Sequence, residues 1–155
     1  MTHNTPPHTP PAARQSALGL PVIALVGLAA IAVPRAILHD LHLISESGLL
    51  TWILALGPVA VWIAVAVMKR VPKPFLTVLV IGIFYGIMLV ITHQLLWDYA
   101  YEGDPPTIGG GSMATAIPRL AAIPSGLFVG ALVGAIGGLI AWGIRAAVTR
   151  KAPRA

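Results

Sequence analysis

The chain has 155 residues, of which 57% are hydrophobic and only 10% are charged. Soluble domains carry about 25% charged residues, so this composition excludes a protein that covers its whole surface with water-facing side chains. The net charge of +5 does not indicate nucleic-acid binding, because the basic residues lie beside apolar stretches rather than on a soluble face. The absence of cysteine excludes disulfides, thiolate metal sites, a covalently attached c-type haem and lipidated cysteines.

Four apolar stretches are each long enough to cross a membrane as a helix. They cover residues 17–38, 48–68, 74–97 and 120–144. A helix rises about 1.5 Å per residue and the hydrocarbon core is roughly 30 Å thick, so about 20 apolar residues suffice. The sequence therefore predicts an all-α integral membrane four-helix bundle, formed by a single domain over residues 16–148. Residues 1–15 are predicted to be a disordered cytoplasmic tail, and residues 149–155 a basic cytoplasmic tail.

Prolines and glycines predict irregularities in the first two spans. Pro34 is expected to bend or end the first helix, and Gly57 with Pro58 predicts a kink in the second. A cleavable signal peptide is an alternative for the first span, since residues 30–32 (Ala-Ile-Ala) resemble a cleavage site and Arg14 precedes the apolar run. The run is longer than the usual signal core of about 7–15 residues, which favours an uncleaved span.

Charged residues sort by sign along the chain. All five acidic residues lie in the first and third connections: Asp40, Glu46, Asp98, Glu102 and Asp104. Eight of the ten basic residues lie in the tails and the second connection: Arg14, Lys69, Arg70, Lys73, Arg145, Arg150, Lys151 and Arg154. Because cytoplasmic loops carry an excess of Lys and Arg, this pattern predicts a bacterial plasma-membrane protein with both termini cytoplasmic. The two exceptions, Arg35 and Arg119, are expected at outer helix ends, from which their side chains reach water.

Glycines in the third and fourth spans predict close helix packing. Glycine recurs every four residues in the fourth span, and the third span carries a matching pair: Gly126, Gly130, Gly134 and Gly138, with Gly82 and Gly86. Lipid supplies no hydrophobic drive between helices, so close backbone contact must hold them together, and glycine permits it. We expect these two helices to pack antiparallel. The alternative is that part of the glycine surface binds a second protomer or a partner, because the repeat winds around the helix by about 40° per step.

Histidines and acidic residues on the outer side are weak candidates for a metal site. His93 is the only ionisable residue well inside a predicted span, and such residues are functional candidates by default. If the first connection is helical, His39, His42 and Glu46 share a face. Together with His93 and Asp98, these donors would suit Zn²⁺ or a similar divalent ion. The simpler interpretations are a solvated loop and a neutral His93 hydrogen-bonded to a neighbouring helix. A third is sensing of external acidity, because histidine ordinarily titrates near pH ~6.5.

No motif indicates catalysis, and no catalytic residue or cofactor is expected. The glycines at 109–111 precede no Walker lysine, and neither G-x-S-x-G nor H-E-x-x-H occurs. The predicted spans hold no acidic residue, which argues against a self-contained secondary transporter. The sequence favours a non-enzymatic structural or interaction role, in which the chain self-associates or joins a larger membrane complex, with membrane lipids and not nucleic acid as partners. The alternatives are a transporter or channel component for a small solute or ion, and a membrane metal-binding protein.

Overall fold

The described part of the computed structural model, residues 17–45, 47–111 and 113–151, is entirely helical apart from turns. Its elements are α1 (Val22–Ala30), α2 (Val33–Asp40), α3 (Leu49–Met68), α4 (Pro74–Leu95), α5 (Trp97–Ala100) and α6 (Ala116–Lys151). The predicted all-α bundle is therefore confirmed. The predicted tail at residues 1–15 and the end of the basic tail lie outside the described residues.

Four helical segments are long and apolar enough to cross a membrane. They are Val22–Asp40, which joins α1 and α2, then Leu49–Met68, Pro74–Leu95 and Ala116–Arg150. The last helix differs most from its predicted bounds, since α6 begins at Ala116 and continues through Lys151. Its 36 residues span about 54 Å, so part of it must project beyond a hydrocarbon core of roughly 30 Å.

The first span is broken between α1 and α2, at Ile31 and Ala32. Pro34 follows in the first turn of α2, a position where its missing amide hydrogen is tolerated. The Ala32 amide donates to the Ala29 carbonyl, so it does not serve the Leu28 carbonyl as a regular helix would require. The Trp62 indole on α3 donates to that carbonyl over 2.7 Å instead. The fully buried Trp62 thus supplies the hydrogen bond that the Leu28 carbonyl lacks at the break, and it links the first span to the second.

The helix α4 is the centre of the bundle and packs against α1, α2, α3, α5 and α6. Its contact with α6 is made through the glycines. A Cβ added to Gly82 would lie 2.5 Å from the Gly130 carbonyl oxygen and 2.5 Å from the Gly134 Cα. A Cβ added to Gly86 would lie 3.1 Å from the Gly126 carbonyl oxygen. The two backbones therefore approach too closely for any larger residue.

The remaining glycine of the repeat also faces α4, where a Cβ on Gly138 would lie 2.7 Å from the Phe75 carbonyl oxygen. All six glycines singled out in the sequence are thus at the α4–α6 contact within one chain. The neighbouring Gly137 faces side chains of both α3 and α4, those of Val59 and Val78.

The helices α2, α3 and α5 end in the same backbone arrangement. A residue with positive φ follows each helix: His42 at 56°, Arg70 at 49° and Glu102 at 52°. In each case the next amide donates back to a carbonyl five residues earlier, for example from Val71 to Ala66 over 3.2 Å. This is the hydrogen bond of a Schellman motif, in which glycine is the usual residue at the left-handed position.

The two ends of the bundle differ in charge. The end where α2 and α4 finish and α3 and α6 begin, here called the acidic end, carries Asp40, Asp98, Glu102 and Asp104. The opposite end, here called the basic end, carries Lys69, Arg70, Lys73, Arg145 and Arg150. This arrangement places the candidate histidines His39, His42 and His93 together at the acidic end.

Candidate functional site

A cavity of about 420 Å³ lies at the acidic end, between the end of α2, the last turns of α4, α5 and the first half of α6. Small-molecule pockets have volumes of roughly 300–1,000 Å³, so this cavity has room for one small ligand. Its polar lining residues are His39, Asp40, His42, His93, Tyr101 and Ser125. Much of the remaining lining is apolar or aromatic and includes Ile44, Leu89, Trp97 and Val129.

Asp40 positions the two histidines nearest to it. Its side chain is only 2% exposed, and its Oδ2 lies 2.5 Å from Nδ1 of His93 on α4. Its Oδ1 lies 3.3 Å from Nδ1 of His39. Because an ionised carboxylate only accepts hydrogen bonds, both imidazoles donate from Nδ1. The carboxylate therefore connects α2 to α4 and fixes the orientation of the His93 ring.

The position of Asp40 corrects one expectation from the sequence. The sequence places Asp40 in the first connection and predicts spans without acidic residues. Asp40 is instead the last residue of α2 and belongs to the apolar segment Val22–Asp40. A buried acidic residue within a candidate membrane segment, paired with an ionisable partner, is typical of functional sites in membrane proteins.

The expected helical face of His39, His42 and Glu46 is not formed. The helix ends at Asp40, and His42 adopts a left-handed conformation with φ of 56°. The Schellman hydrogen bond from the Leu43 amide to the Leu38 carbonyl, 2.9 Å long, stops the helix there. His39 and His42 nevertheless both line the cavity, and Glu46 lies outside the described residues.

The outer wall of the cavity is held by contacts between α4, α5 and α6. The rings of Trp97 and Tyr101 lie 4.8 Å apart, and the Arg119 guanidinium lies 5.7 Å from the centre of the Trp97 ring. Arg119 also donates to the side-chain oxygen of Gln94 over 3.0 Å and to its backbone carbonyl over 2.8 Å. Gln94 in turn donates to the Arg119 carbonyl over 3.0 Å. These hydrogen bonds of Arg119 therefore connect the start of α6 to the end of α4.

The predicted metal ligands are only partly brought together. His39, His42 and His93 line the cavity, whereas the exposed Asp98 is not among its lining residues. Within residues 17–45, 47–111 and 113–151, no group of three or more His, Asp or Glu side chains is placed to hold a metal ion. The Nδ1 atom of His93 is already directed at Asp40, which leaves only its Nε2 atom for other partners.

Arg35 provides a second polar contact, deeper in the bundle. Its positive charge lies close enough to Tyr85 on α4 to interact with it electrostatically, and its Nε is buried without a hydrogen-bond partner in the described part of the chain. The Tyr85 ring lies 6.0 Å from the Trp62 ring. The sequence predicts that the Arg35 side chain reaches water, and in the structure the residue is partly exposed while its Nε is buried.

Comparisons with protein-family models, with curated proteins and with solved structures found no match.

Ser125, His93 and Asp40 share the cavity, and in the described part of the chain Asp40, not Ser125, is the side chain that hydrogen-bonds His93. Sequence reasoning found His93 by its place inside an apolar run. It did not identify Asp40 as the residue that positions His93, because whether Asp40 is buried depends on where α2 ends.

Proposed function

We propose that this chain is a non-enzymatic membrane protein that binds a small ligand at the acidic end of its bundle. The single observation that supports this function is the cavity of about 420 Å³, with a buried aspartate holding a histidine in its wall. A buried, paired carboxylate is costly to maintain in an apolar environment, so its placement beside a cavity favours a functional role.

The proposed location is the bacterial plasma membrane, with the basic end in the cytoplasm and the cavity at the outer surface. The support is the separation of charge between the two ends, since Lys and Arg concentrate on the cytoplasmic side of membrane proteins. Membrane lipids surround the chain in this proposal, and nucleic acid is not a partner.

We also propose that the chain self-associates or joins a larger membrane complex. It would do so through surfaces other than the glycines. The repeat from Gly126 to Gly138 is covered by α4 of the same chain. A second protomer would have to use outward-facing residues elsewhere, such as the exposed apolar side chains Trp52, Leu56 and Val61 of α3.

The absence of cysteine makes a direct test of ligand binding practicable. Ser125→Cys places a single thiol in the cavity, and Thr107→Cys places one on the exposed loop at the same end. We expect a lipid extract of the source organism to slow maleimide labelling at position 125 several-fold and to leave labelling at position 107 unchanged. Equal labelling rates with and without extract at both positions would contradict the proposal.

A second candidate function, as a component of a proton- or ion-coupled transporter, is favoured by the Asp40–His93 pair. Coupled transporters use ionisable pairs within apolar segments, and the sequence-based argument against transport depended on their absence. Proteoliposomes with an imposed pH gradient test this candidate. Proton entry that Asp40→Asn abolishes would support it, and entry at the rate of empty liposomes would exclude transport by the chain alone.

A further inference from the structure

The polar groups that a ligand can reach in the cavity limit the class of ligand that can bind there. This inference rests on the proposed binding function. The Asp40 carboxylate is 2% exposed and has an imidazole at each oxygen, so it is not free to bind a cationic ligand. His93, by contrast, keeps 35% of its side chain exposed while it lines the cavity. The His93 imidazole is therefore a polar group that a ligand can reach, as are those of His39, His42, Tyr101 and Ser125 in the same lining.

The hydrogen-bonding role of His93 is fixed by its partner. A neutral imidazole that donates from Nδ1 to a carboxylate carries its lone pair on Nε2, on the far side of the ring. With Nδ1 of His93 held at 2.5 Å by Asp40, Nε2 is the atom of a neutral ring that is left to accept a hydrogen bond. A ligand that donates an O–H hydrogen bond satisfies it, whereas one with only ether or carbonyl oxygens does not.

The rest of the lining favours an apolar ring. Leu89, Trp97 and Val129 present hydrocarbon and aromatic surface to the cavity, and the Tyr101 ring packs on Trp97 at 4.8 Å. Flat rings stack well on such side chains, and burial of apolar surface contributes most of the affinity in pockets of this kind. The cavity also lies at the end of the apolar segments, where molecules dissolved in the membrane present their polar head groups.

We infer that the cavity binds an uncharged hydroxyaromatic molecule of the phenol or hydroquinone class, whose hydroxyl donates to Nε2 of His93. The aromatic ring lies against Leu89, Trp97 and Val129. The Ser125 hydroxyl is available as a second hydrogen-bonding group at the same cavity.

Two probes that differ only in their hydrogen-bond donor test this inference. The protein in nanodiscs is titrated with 1-naphthol and with 1-methoxynaphthalene by calorimetry, with empty nanodiscs as the blank. We expect 1-naphthol to bind at least tenfold more tightly, because only its hydroxyl can donate to the imidazole. Equal affinities, or no saturable binding of either compound to the wild-type protein, would overturn the inference without any variant being needed.

Two histidine variants then test whether His93 accepts the hydrogen bond from the hydroxyl of 1-naphthol. His93→Ala should bind both compounds with the same weak affinity, and His8→Ala, which removes a histidine from the N-terminal segment, should keep the preference for 1-naphthol. A His93→Ala protein that retains the preference would overturn the inference. If the lipid extract protects Ser125→Cys while 1-naphthol does not bind, the ligand class is wrong and the binding function stands. If the lipid extract does not protect Ser125→Cys and 1-naphthol does not bind, the ligand class and the binding function are both wrong.

Discussion

Asp40 and His93 form the contact on which the acidic end depends. They are far apart in the sequence, and their hydrogen bond joins α2 to α4 at the wall of the cavity. A hydrogen bond to a charged group contributes about 1.5–3 kcal/mol, and removing His93 leaves the buried Asp40 carboxylate with only its longer contact to His39.

This contact predicts a coupling between the two side chains. In a double-mutant cycle of Asp40→Ala and His93→Ala, we expect a coupling of about 2 kcal/mol in the free energy of unfolding, measured by denaturation in mixed micelles. The matched cycle of Asp40→Ala with Thr149→Ala, a residue at the basic end, should be additive within about 0.5 kcal/mol. Additivity in the first cycle would show that the contact does not stabilise the protein.

The sequence indicates which single side chains are candidates for a functional site, but it does not indicate which groups they contact. His93 stands out because it is polar within an apolar run. The bond from Trp62 to the Leu28 carbonyl cannot be predicted in this way, because it requires a carbonyl freed by a break in another helix. Asp40 is likewise identified only once the end of α2 is known, since a helix ending a few residues earlier would leave it in a solvated loop.

Among the elements, α4 and α6 form the closest pair. The four-residue glycine spacing and the small volume of glycine are readable from the sequence, and the structure places those glycines at this contact. The bounds of α6 are not readable in the same way. Its extension through Lys151 continues past the apolar stretch, where hydrophobicity no longer marks the helix.

The glycine contact predicts opposite effects of alanine at two positions of α6. A Cβ at Gly130 would lie 2.5 Å from the Gly82 carbonyl oxygen and closer still to the Gly86 Cα, so Gly130→Ala should destabilise the fold by about 1–3 kcal/mol. Gly143 has no atom within 4 Å of its added Cβ, so Gly143→Ala should stabilise the helix by up to about 1 kcal/mol.

Thermal unfolding measures both variants, and chemical crosslinking reports whether either changes an oligomer. We expect Gly130→Ala to unfold at lower temperature without a specific loss of crosslinked species. A stable Gly130→Ala protein that has lost a crosslinked dimer would instead place the glycines between protomers.

The turn between α3 and α4 predicts a stabilising substitution. Arg70 has φ of 49°, in the region where a non-glycine residue costs about 1–2 kcal/mol, so Arg70→Gly should stabilise the protein by about 1 kcal/mol. The neighbouring Lys69 has φ of −75°, so Lys69→Gly removes the same charge without relieving strain. Equal effects of the two variants on the unfolding midpoint would contradict this account of the turn.

At the scale of the whole molecule, the charge separation and the four apolar segments describe a protein with two unlike ends. The sequence predicts the number of segments and the sign of charge at each end, because both depend on where apolar and charged residues lie along the chain. It does not predict the cavity, which arises where α2, α4, α5 and α6 converge and which depends on how their ends are tilted and capped.

Single-cysteine labelling of cells tests the central claim, that the histidine-lined cavity lies at the outer end of a membrane bundle. Thr107→Cys marks the acidic end and Thr149→Cys the basic end, and both positions are exposed. A membrane-impermeant maleimide should label position 107 on intact spheroplasts and position 149 only after lysis. Labelling of position 149 before lysis with protection of position 107, or recovery of the protein in the soluble fraction without detergent, would contradict the account.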